Sequence, residues 1–332
     1  MKKLLAGLLI AAGAIGLGSP ASADCGRVTI AEMNWSSAAT FAYIDQFILK
    51  NGYGCDAELV PGDTMPTSAS MIEKAEPDIA PELWINSIRE VVAAAIKEGK
   101  VEYAGPVFAD GGEEGWWIPQ YMVDKNPELA TLAGILKHPE LFPSKEDSSR
   151  AMFMGCPAGW NCQIANTNLH KAFKLDEAGF DLGDPGSAAG LDGSMSKAYE
   201  RGEGWFGYYW APTAFLGKFD MAKVDMGVEH EVTAWTSCIG TDIECLDPKP
   251  NTFPVSDVYT LVSKGFAERS PEAYSYVSNR SYKNKFLNGF LKWIDDNQVG
   301  GEEAAEKFLK DNEDMWTPWV SSEVAAKVKA AL

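Results

Sequence analysis

The 332-residue sequence is short of histidine and of basic residues. Its three histidines stand apart at positions 138, 170 and 230, and 29 lysines and arginines face 47 aspartates and glutamates. The formal net charge of −18 disfavours nucleic acid and anionic membranes as partners, because both attract basic surfaces. G-x-S-x-G and H-E-x-x-H motifs are also absent, so we expect a non-enzymatic protein without a cofactor. The acidic run Asp110–Glu114 leaves a structural metal open, but no ligand spacing identifies a site.

Long apolar runs are equally scarce, and the one that stands out is at the N-terminus, from Leu4 to Leu17. It follows two lysines and precedes Ala21-Ser22-Ala23, which is the arrangement of a cleaved secretory signal. The run is too short and too rich in glycine for a membrane span. Because Asp24 rather than a small residue precedes Cys25, a lipoprotein signal is not indicated. The sequence predicts a signal peptide at residues 1–23, a mature chain in a bacterial periplasm, and no membrane insertion.

The six cysteines include no C-x-x-C pair of the kind that binds zinc or performs redox chemistry. An even number of cysteines in an exported chain indicates disulfides, although six cysteines allow many pairings. Proximity in the sequence favours Cys156–Cys162 and Cys238–Cys245, which leaves Cys25–Cys55. The first two bonds would close small loops that restrict the unfolded chain little. We therefore expect them to fix local geometry.

Apolar runs of β type alternate with helical periodicity along the chain, which predicts an α/β fold with largely parallel sheets. One such run leads into Trp35 and another ends at Trp84. Ligands of α/β sheets bind at the carboxyl ends of strands, so these two indoles are well placed for a binding site. The length suits two lobes. We expect one lobe to comprise residues 24–118 with 256–332, and the other to comprise residues 119–255.

Tryptophan is the residue type that points to function. Trp160 lies on the turn Cys156-Pro-Ala-Gly-Trp-Asn-Cys162, called the stapled turn below, and Trp210 lies at the end of a further β-type run. Several indole faces that meet at one point suit a methylated ammonium group, because ring faces carry negative charge density. Each desolvated face contributes up to about 2 kcal/mol, so three or four faces reach the scale of micromolar binding. The sequence therefore indicates a binding protein.

The order of these motifs supplies a family resemblance. Glu82-Leu-Trp84, the stapled turn and Tyr208-Tyr-Trp-Ala-Pro212 follow one another in the chain. This order resembles the glycine betaine-binding proteins of ABC importers, a family that includes receptors for proline betaine, choline and trimethylamine N-oxide. The resemblance covers essentially the whole mature chain. It implies a type II periplasmic-binding-protein clamshell, in which each lobe is a sheet flanked by helices and the chain crosses the hinge twice.

The resemblance also assigns residues and a partner. By motif, the family's three cage tryptophans correspond to Trp84, Trp160 and Trp210. Trp35 stands where some members place another aromatic residue. The implied partner is an ABC permease that accepts the closed receptor, and we expect the receptor to be a monomer.

The residues around these tryptophans leave the ligand open within its class. The backbone N–H groups of Asn161 and Cys162 begin the next helix and can bind an anionic oxygen. Family members that bind glycine betaine often have a histidine a few residues after the position of Trp84, where this chain has Asn86-Ser-Ile-Arg89. Glu82 shares a strand face with Trp84 and would attract a cation or, when protonated, donate to an N-oxide oxygen. Alternatively, it is a solvated acid at a strand end.

We predict trimethylamine N-oxide as the ligand, with choline and glycine betaine as alternatives. A sugar receptor is a more remote alternative, because tryptophan also stacks on pyranose rings. A sugar site would require several Asn, Asp and Arg side chains around the same cleft. It would not explain the stapled turn.

Overall fold

The computed structural model describes residues 25–332, so the predicted signal peptide and Asp24 lie outside the described residues. The strands are β1 (Arg27–Met33), β2 (Asp56–Gly62), β3 (Ile79–Trp84), β4 (Val101–Pro106), β5 (Gly112–Pro119), β6 (Ala151–Met154), β7 (Phe180–Gly183), β8 (Gly207–Ala211), β9 (Met221–Lys223), β10 (Val255–Ser256) and β11 (Val258–Ser263). The helices are α1 (Ser36–Tyr53), α2 (Thr64–Lys74), α3 (Arg89–Lys97), α4 (Gln120–Lys125), α5 (Leu132–Ile135), α6 (Cys162–Ala172), α7 (Ala188–Arg201), α8 (Ala214–Lys218), α9 (Val232–Ala234), α10 (Lys264–Arg269), α11 (Pro271–Asn279), α12 (Asn284–Asn297), α13 (Gly301–Asp311), α14 (Glu313–Trp316) and α15 (Ser322–Ala331).

Five strands form the first sheet in the order β2-β1-β3-β11-β4. β1 runs parallel to β2 and β3, whereas β11 runs antiparallel to β3 and β4. Every residue of β3 is buried, as expected for an inner strand covered on both faces. Trp84 is the last residue of this inner strand, so its position is fixed by the core of the sheet.

The second sheet has the order β10-β5-β8-β6-β7, with β9 also paired to β5. β6 is parallel to β7 and β8, whereas β5 is antiparallel to β8, β9 and β10. Both sheets are therefore mixed, and the prediction of largely parallel sheets is wrong. The antiparallel pairs all involve β5 or β11, the strands through which the chain enters one sheet after leaving the other.

The chain crosses between the sheets twice. β4 ends at Pro106 in the first sheet and β5 begins at Gly112 in the second, while β10 ends at Ser256 and β11 begins at Val258. Two sheets flanked by helices and joined by two crossings agree with the predicted architecture. The division of residues between lobes remains a prediction. β5 pairs wholly within the second sheet, whereas the expected boundary at residue 118 would leave most of that strand in the first lobe.

A buried ion pair joins α1 to the segment after α11. The Arg280 Nε atom lies 2.9 Å from the Asp45 Oδ1 atom, and both side chains are fully buried. The Tyr276 hydroxyl donates to the same carboxylate at 2.6 Å. A second Arg280 nitrogen donates to the Pro81 carbonyl at 3.1 Å, which ties this network to β3. Burial makes the pair costly to break, because loss of one partner leaves an uncompensated charge.

The disulfides pair Cys25 with Cys55, Cys156 with Cys162, and Cys238 with Cys245. This is the pairing that sequence proximity favours. Within residues 25–332, no helix has both the length and the apolar character that a membrane span requires. The same residues contain no cluster of three or more His, Cys, Asp or Glu side chains that could hold a metal.

Candidate functional site

The four predicted tryptophans come together between the two sheets. The ring centroids of Trp160 and Trp35 are 5.4 Å apart, and those of Trp160 and Trp210 are 5.1 Å apart. Together with Trp84 they line a cavity of about 20 Å³, called the cage cavity below. Its full lining is Trp35, Thr64, Trp84, Glu114, Trp160, Asn161, Cys162, Tyr208 and Trp210.

Each ring is placed by a local feature of the chain. Trp35 follows β1 and precedes the first turn of α1, and Trp84 ends β3, so both come from the first sheet. Trp210 lies in β8 of the second sheet. Trp160 lies on the stapled turn, directly after Gly159, whose φ of +92° is accessible to glycine at little cost. The cage cavity therefore takes two rings from each side of the cleft.

Glu82 holds two of these rings from behind. Its Oε1 atom accepts hydrogen bonds from the indole N–H groups of Trp35 at 2.7 Å and of Trp84 at 2.9 Å. The side chain is fully buried, and burial raises the pKa of its carboxyl group against the opposing effect of these hydrogen bonds. The interpretation of Glu82 as a solvated acid is therefore wrong. Glu82 shares the side of Trp84 as predicted, but it is not among the residues that line the cage cavity.

Glu114 is the carboxyl group that does line the cage cavity, and the sequence reasoning missed it. It is buried, and it accepts hydrogen bonds from the Tyr208 hydroxyl at 2.8 Å, the Ser256 hydroxyl at 2.7 Å and the Asn86 amide at 3.1 Å. Burial raises the pKa of the Glu114 carboxyl group, while these hydrogen bonds oppose the shift. Strand pairing sets Glu114 opposite Trp210, which brings the acid to the rings.

The sequence did contain a signal for Glu114. It belongs to the acidic run considered above for a structural metal, and that run leads directly into Gly115-Trp-Trp-Ile. Alternation along a strand places residues 114, 116 and 118 on one face. An acid on the same face as Trp116 and Ile118, both fully buried, indicates a buried carboxyl group rather than a solvated one.

Asn161 and Cys162 also line the cage cavity, at the start of α6. Both are buried, and α6 has no acidic residue in its first turn. Backbone N–H groups at such a helix start favour an anionic partner. The Asn161 side chain is engaged elsewhere, because its amide donates to the Trp84 carbonyl oxygen at 2.8 Å across the cleft.

Residues 26–311 match the substrate-binding domain of ABC-type glycine betaine transport systems. The chain belongs to this family. The fold agrees with that assignment, because a choline-binding protein of an ABC transporter, solved in complex with choline, superimposes with a TM-score of 0.71. That structure is 19% identical in sequence, and the alignment covers 92% of this chain and 98% of the other. The predicted two-lobed periplasmic-binding-protein fold is confirmed.

Two curated relatives show how the family similarity is distributed. The glycine betaine/carnitine transport binding protein GbuC of Listeria monocytogenes is 26% identical over 165 residues, which is 50% of this chain and 47% of that protein. The trimethylamine N-oxide-binding protein of Pelagibacter ubique is 22% identical over 316 residues, covering 88% of this chain and 90% of that protein. The chain thus spans about half of the first relative and nearly all of the second.

The segment where glycine betaine receptors of the family often carry a histidine does not enter the cage cavity here. Asn86 is buried and donates to both Glu114 and Ser256. Arg89 lies at the start of α3 and pairs with Asp257 at 2.8 Å. Neither residue lines the cavity. Neither side chain therefore takes the place of that histidine in the cavity, and Asn86 acts on the site through its hydrogen bond to Glu114.

Proposed function

We propose that this protein is the solute receptor of an ABC importer and binds a small methylated amine in the cage cavity, with trimethylamine N-oxide as its preferred ligand. One observation carries the proposal. Four indole rings, two from each sheet, surround a small cavity whose further lining includes the buried carboxyl group of Glu114. The name of the Pelagibacter relative, which aligns over 88% of the chain, supports the choice of ligand.

The rings select the methylated ammonium end. A group of this kind donates no strong hydrogen bond, but it is attracted to ring faces within about 6 Å of their centroids. The cavity of about 20 Å³ is far smaller than the range of about 300–1,000 Å³ that suits drug-sized ligands, so the rings must move apart to admit an amine and admit a compact one most easily. This reasoning places trimethylamine N-oxide ahead of carnitine, which carries a longer chain.

Glu114 selects the other end of the ligand. Burial raises the pKa of its carboxyl group and so favours the protonated form, which can donate to the oxygen of an N-oxide. The same group in its charged form repels the carboxylate of a betaine. A choline hydroxyl could instead donate to the charged form, so choline remains a member of the candidate class.

A second candidate, glycine betaine, is supported by the start of α6. Asn161 and Cys162 line the cage cavity at a helix N-terminus, where backbone N–H groups could receive a carboxylate. For this ligand the oxygen atoms would turn toward the stapled turn rather than toward Glu114. The two candidates therefore depend on different residues.

Calorimetric titration of the purified protein with trimethylamine N-oxide, glycine betaine, choline, carnitine and maltose tests the proposal. We expect saturable micromolar binding of trimethylamine N-oxide that is lost in Trp160→Ala and retained in Trp293→Ala, a ring on α12 that does not line the cavity. Glu114→Gln should keep this binding, because its amide donates permanently, and Glu114→Ala should weaken it. Heat from maltose alone would replace the amine receptor by a sugar receptor.

The proposed location and partner follow from the same family. The predicted signal peptide and the transport role of the family support a receptor outside the cytoplasmic membrane that delivers its ligand to an ABC permease. Fractionation of cells that express the full chain would test the location. Detection only in the cytoplasm would contradict it.

A further inference from the structure

A hydrogen bond crosses the cleft beside the cage cavity. The Trp160 indole N–H donates to the Asn34 Oδ1 atom at 2.8 Å. Asn34 directly precedes Trp35 on the first-sheet side, whereas Trp160 belongs to the stapled turn on the second-sheet side. The bond therefore joins two parts of the chain that lie 126 residues apart in sequence.

Asn34 is itself held in place. Its Nδ2 atom donates to the Asp63 Oδ2 atom at 3.1 Å, and Asp63 caps α2 by accepting from the Thr64 N–H at 2.9 Å. An amide whose donor side is engaged in this way presents its oxygen in one direction. The direction is that of the Trp160 indole nitrogen.

Two other cage rings are also held by a hydrogen bond from the indole N–H to a polar side chain, but that side chain lies on their own side of the cleft. Trp35 and Trp84 donate their indole N–H groups to Glu82, which belongs to the same sheet as Trp84. Within residues 25–332, the cage rings donate several indole hydrogen bonds. Of these, only the bond from Trp160 to Asn34 joins a ring on one side of the cleft to a polar side chain on the other. This bond breaks whenever the two sides separate, and both partners then bond to water instead.

We propose that Asn34 is a positioning residue of the receptor, which orients the Trp160 ring toward the ligand only in the closed form. The inference rests on the proposed function. A ligand shifts an open–closed equilibrium only as far as it favours one form. The Asn34 bond adds to that preference, so removing it weakens ligand binding while every cage ring remains present.

Two further hydrogen bonds join the stapled turn to the first-sheet side of the cleft, and they support the idea that this turn helps to hold the closed form together. The Asn161 amide donates to the Trp84 carbonyl, and the Met65 N–H donates to the Gly159 carbonyl at 3.2 Å. A Cβ atom at Gly159 would lie 3.0 Å from the Asp63 carboxylate. The turn is thus fitted closely against the first-sheet side around Asn34.

A double-mutant cycle tests the proposal by calorimetry with trimethylamine N-oxide. Asn34→Ala should raise the dissociation constant about fivefold to tenfold, the usual effect of one neutral hydrogen bond. Trp160→Phe keeps a ring face but has no indole N–H, so Asn34→Ala should change affinity less than about twofold in that background. In the matched Trp210→Phe background, the full effect of Asn34→Ala should remain, because Asn34 is bonded to Trp160.

The dissociation rate provides a second measurement that does not require Trp160→Phe to fold. Since the bond forms as the cleft closes, Asn34→Ala should speed ligand release and leave the association rate within about twofold. An equal effect of Asn34→Ala in the wild-type and Trp160→Phe backgrounds would overturn the inference, as would an unchanged dissociation rate. Failure of the wild-type protein to bind any methylated amine would instead overturn the proposed function.

Discussion

Replacement of Glu82 by leucine should loosen the cage from behind without touching its lining. The carboxyl oxygen of Glu82 accepts two indole hydrogen bonds, at 2.7 and 2.9 Å, in a fully buried position. Two such bonds contribute about 1–3 kcal/mol if the acceptor is neutral and about 3–6 kcal/mol if it is charged. Burial raises the pKa of this carboxyl group, which favours the lower range. We therefore expect Glu82→Leu to lower the free energy of unfolding by about 2–3 kcal/mol.

Glu82→Gln separates the charge of this residue from its role as an acceptor. The amide oxygen can still accept from both indoles, so the variant should keep most of the stability and most of the affinity for trimethylamine N-oxide. Because the folded-state pKa lies above that of the unfolded chain, the stability contributed by the acid is fully present below about pH 4.5 and declines as pH rises through the folded value. The advantage of the wild type over Glu82→Gln should therefore shrink as pH rises.

Urea unfolding at several pH values, followed by circular dichroism, measures both effects, and calorimetry measures affinity. Glu268→Gln, at an exposed acid of α10, is the control and should leave the free energy of unfolding and the affinity unchanged. Wild-type stability and affinity in Glu82→Leu would refute the idea that Glu82 holds the rings. An advantage over Glu82→Gln that grows with pH would refute the sign of the pKa shift.

Three further substitutions test other parts of the structure. Burial raises the pKa of Asp192 to about 6, so the wild type should lose up to about 3 kcal/mol of unfolding free energy relative to Asp192→Asn between pH 4 and pH 8, and an opposite slope in urea unfolding would contradict this. Gly159→Ala forces a side chain into a left-handed conformation beside Asp63 and should weaken amine binding in calorimetry, whereas the control Gly193→Ala, in an open helical position, should not. Arg280→Leu strands a buried carboxylate and should cost about 3–5 kcal/mol in thermal unfolding; an unchanged melting temperature would rule out that role.

The features that the sequence predicted well are the ones set by short stretches of chain. Trp84 and Trp160 could be placed at a strand end and on a disulfide-closed turn because both features are visible within a few residues. The disulfides followed from proximity for the same reason. The mixed character of the sheets could not be predicted in this way. It depends on where β5 and β11 insert after each crossing, which no local pattern encodes.

The two buried acids, Glu82 and Glu114, also show that features set by long-range contacts cannot be predicted from local sequence. Period-two alternation placed Glu82 on the side of Trp84 correctly. Its position behind the rings depends on Trp35, 47 residues away, whose indole N–H donates to the same carboxyl oxygen as that of Trp84. Glu114 reaches the cavity through pairing with β8 and through bonds to Asn86 and Ser256, 28 and 142 residues away. Such long-range register is what a single sequence leaves undetermined.

The distribution of rings explains why affinity and closure are inseparable in the proposed receptor. Two ring faces from one sheet contribute at most about 4 kcal/mol, which the entropy of capture largely cancels, so an open cleft holds an amine only weakly. All four faces contribute up to about 8 kcal/mol, and they meet only when the cleft is closed. Glu114 provides a second connection between ligand binding and closure. Its partner Asn86 follows β3 and its partner Ser256 belongs to β10, and both lie near the places where the chain passes between the sheets. A ligand that holds the proton on Glu114 would therefore act on the hinge side of the cleft.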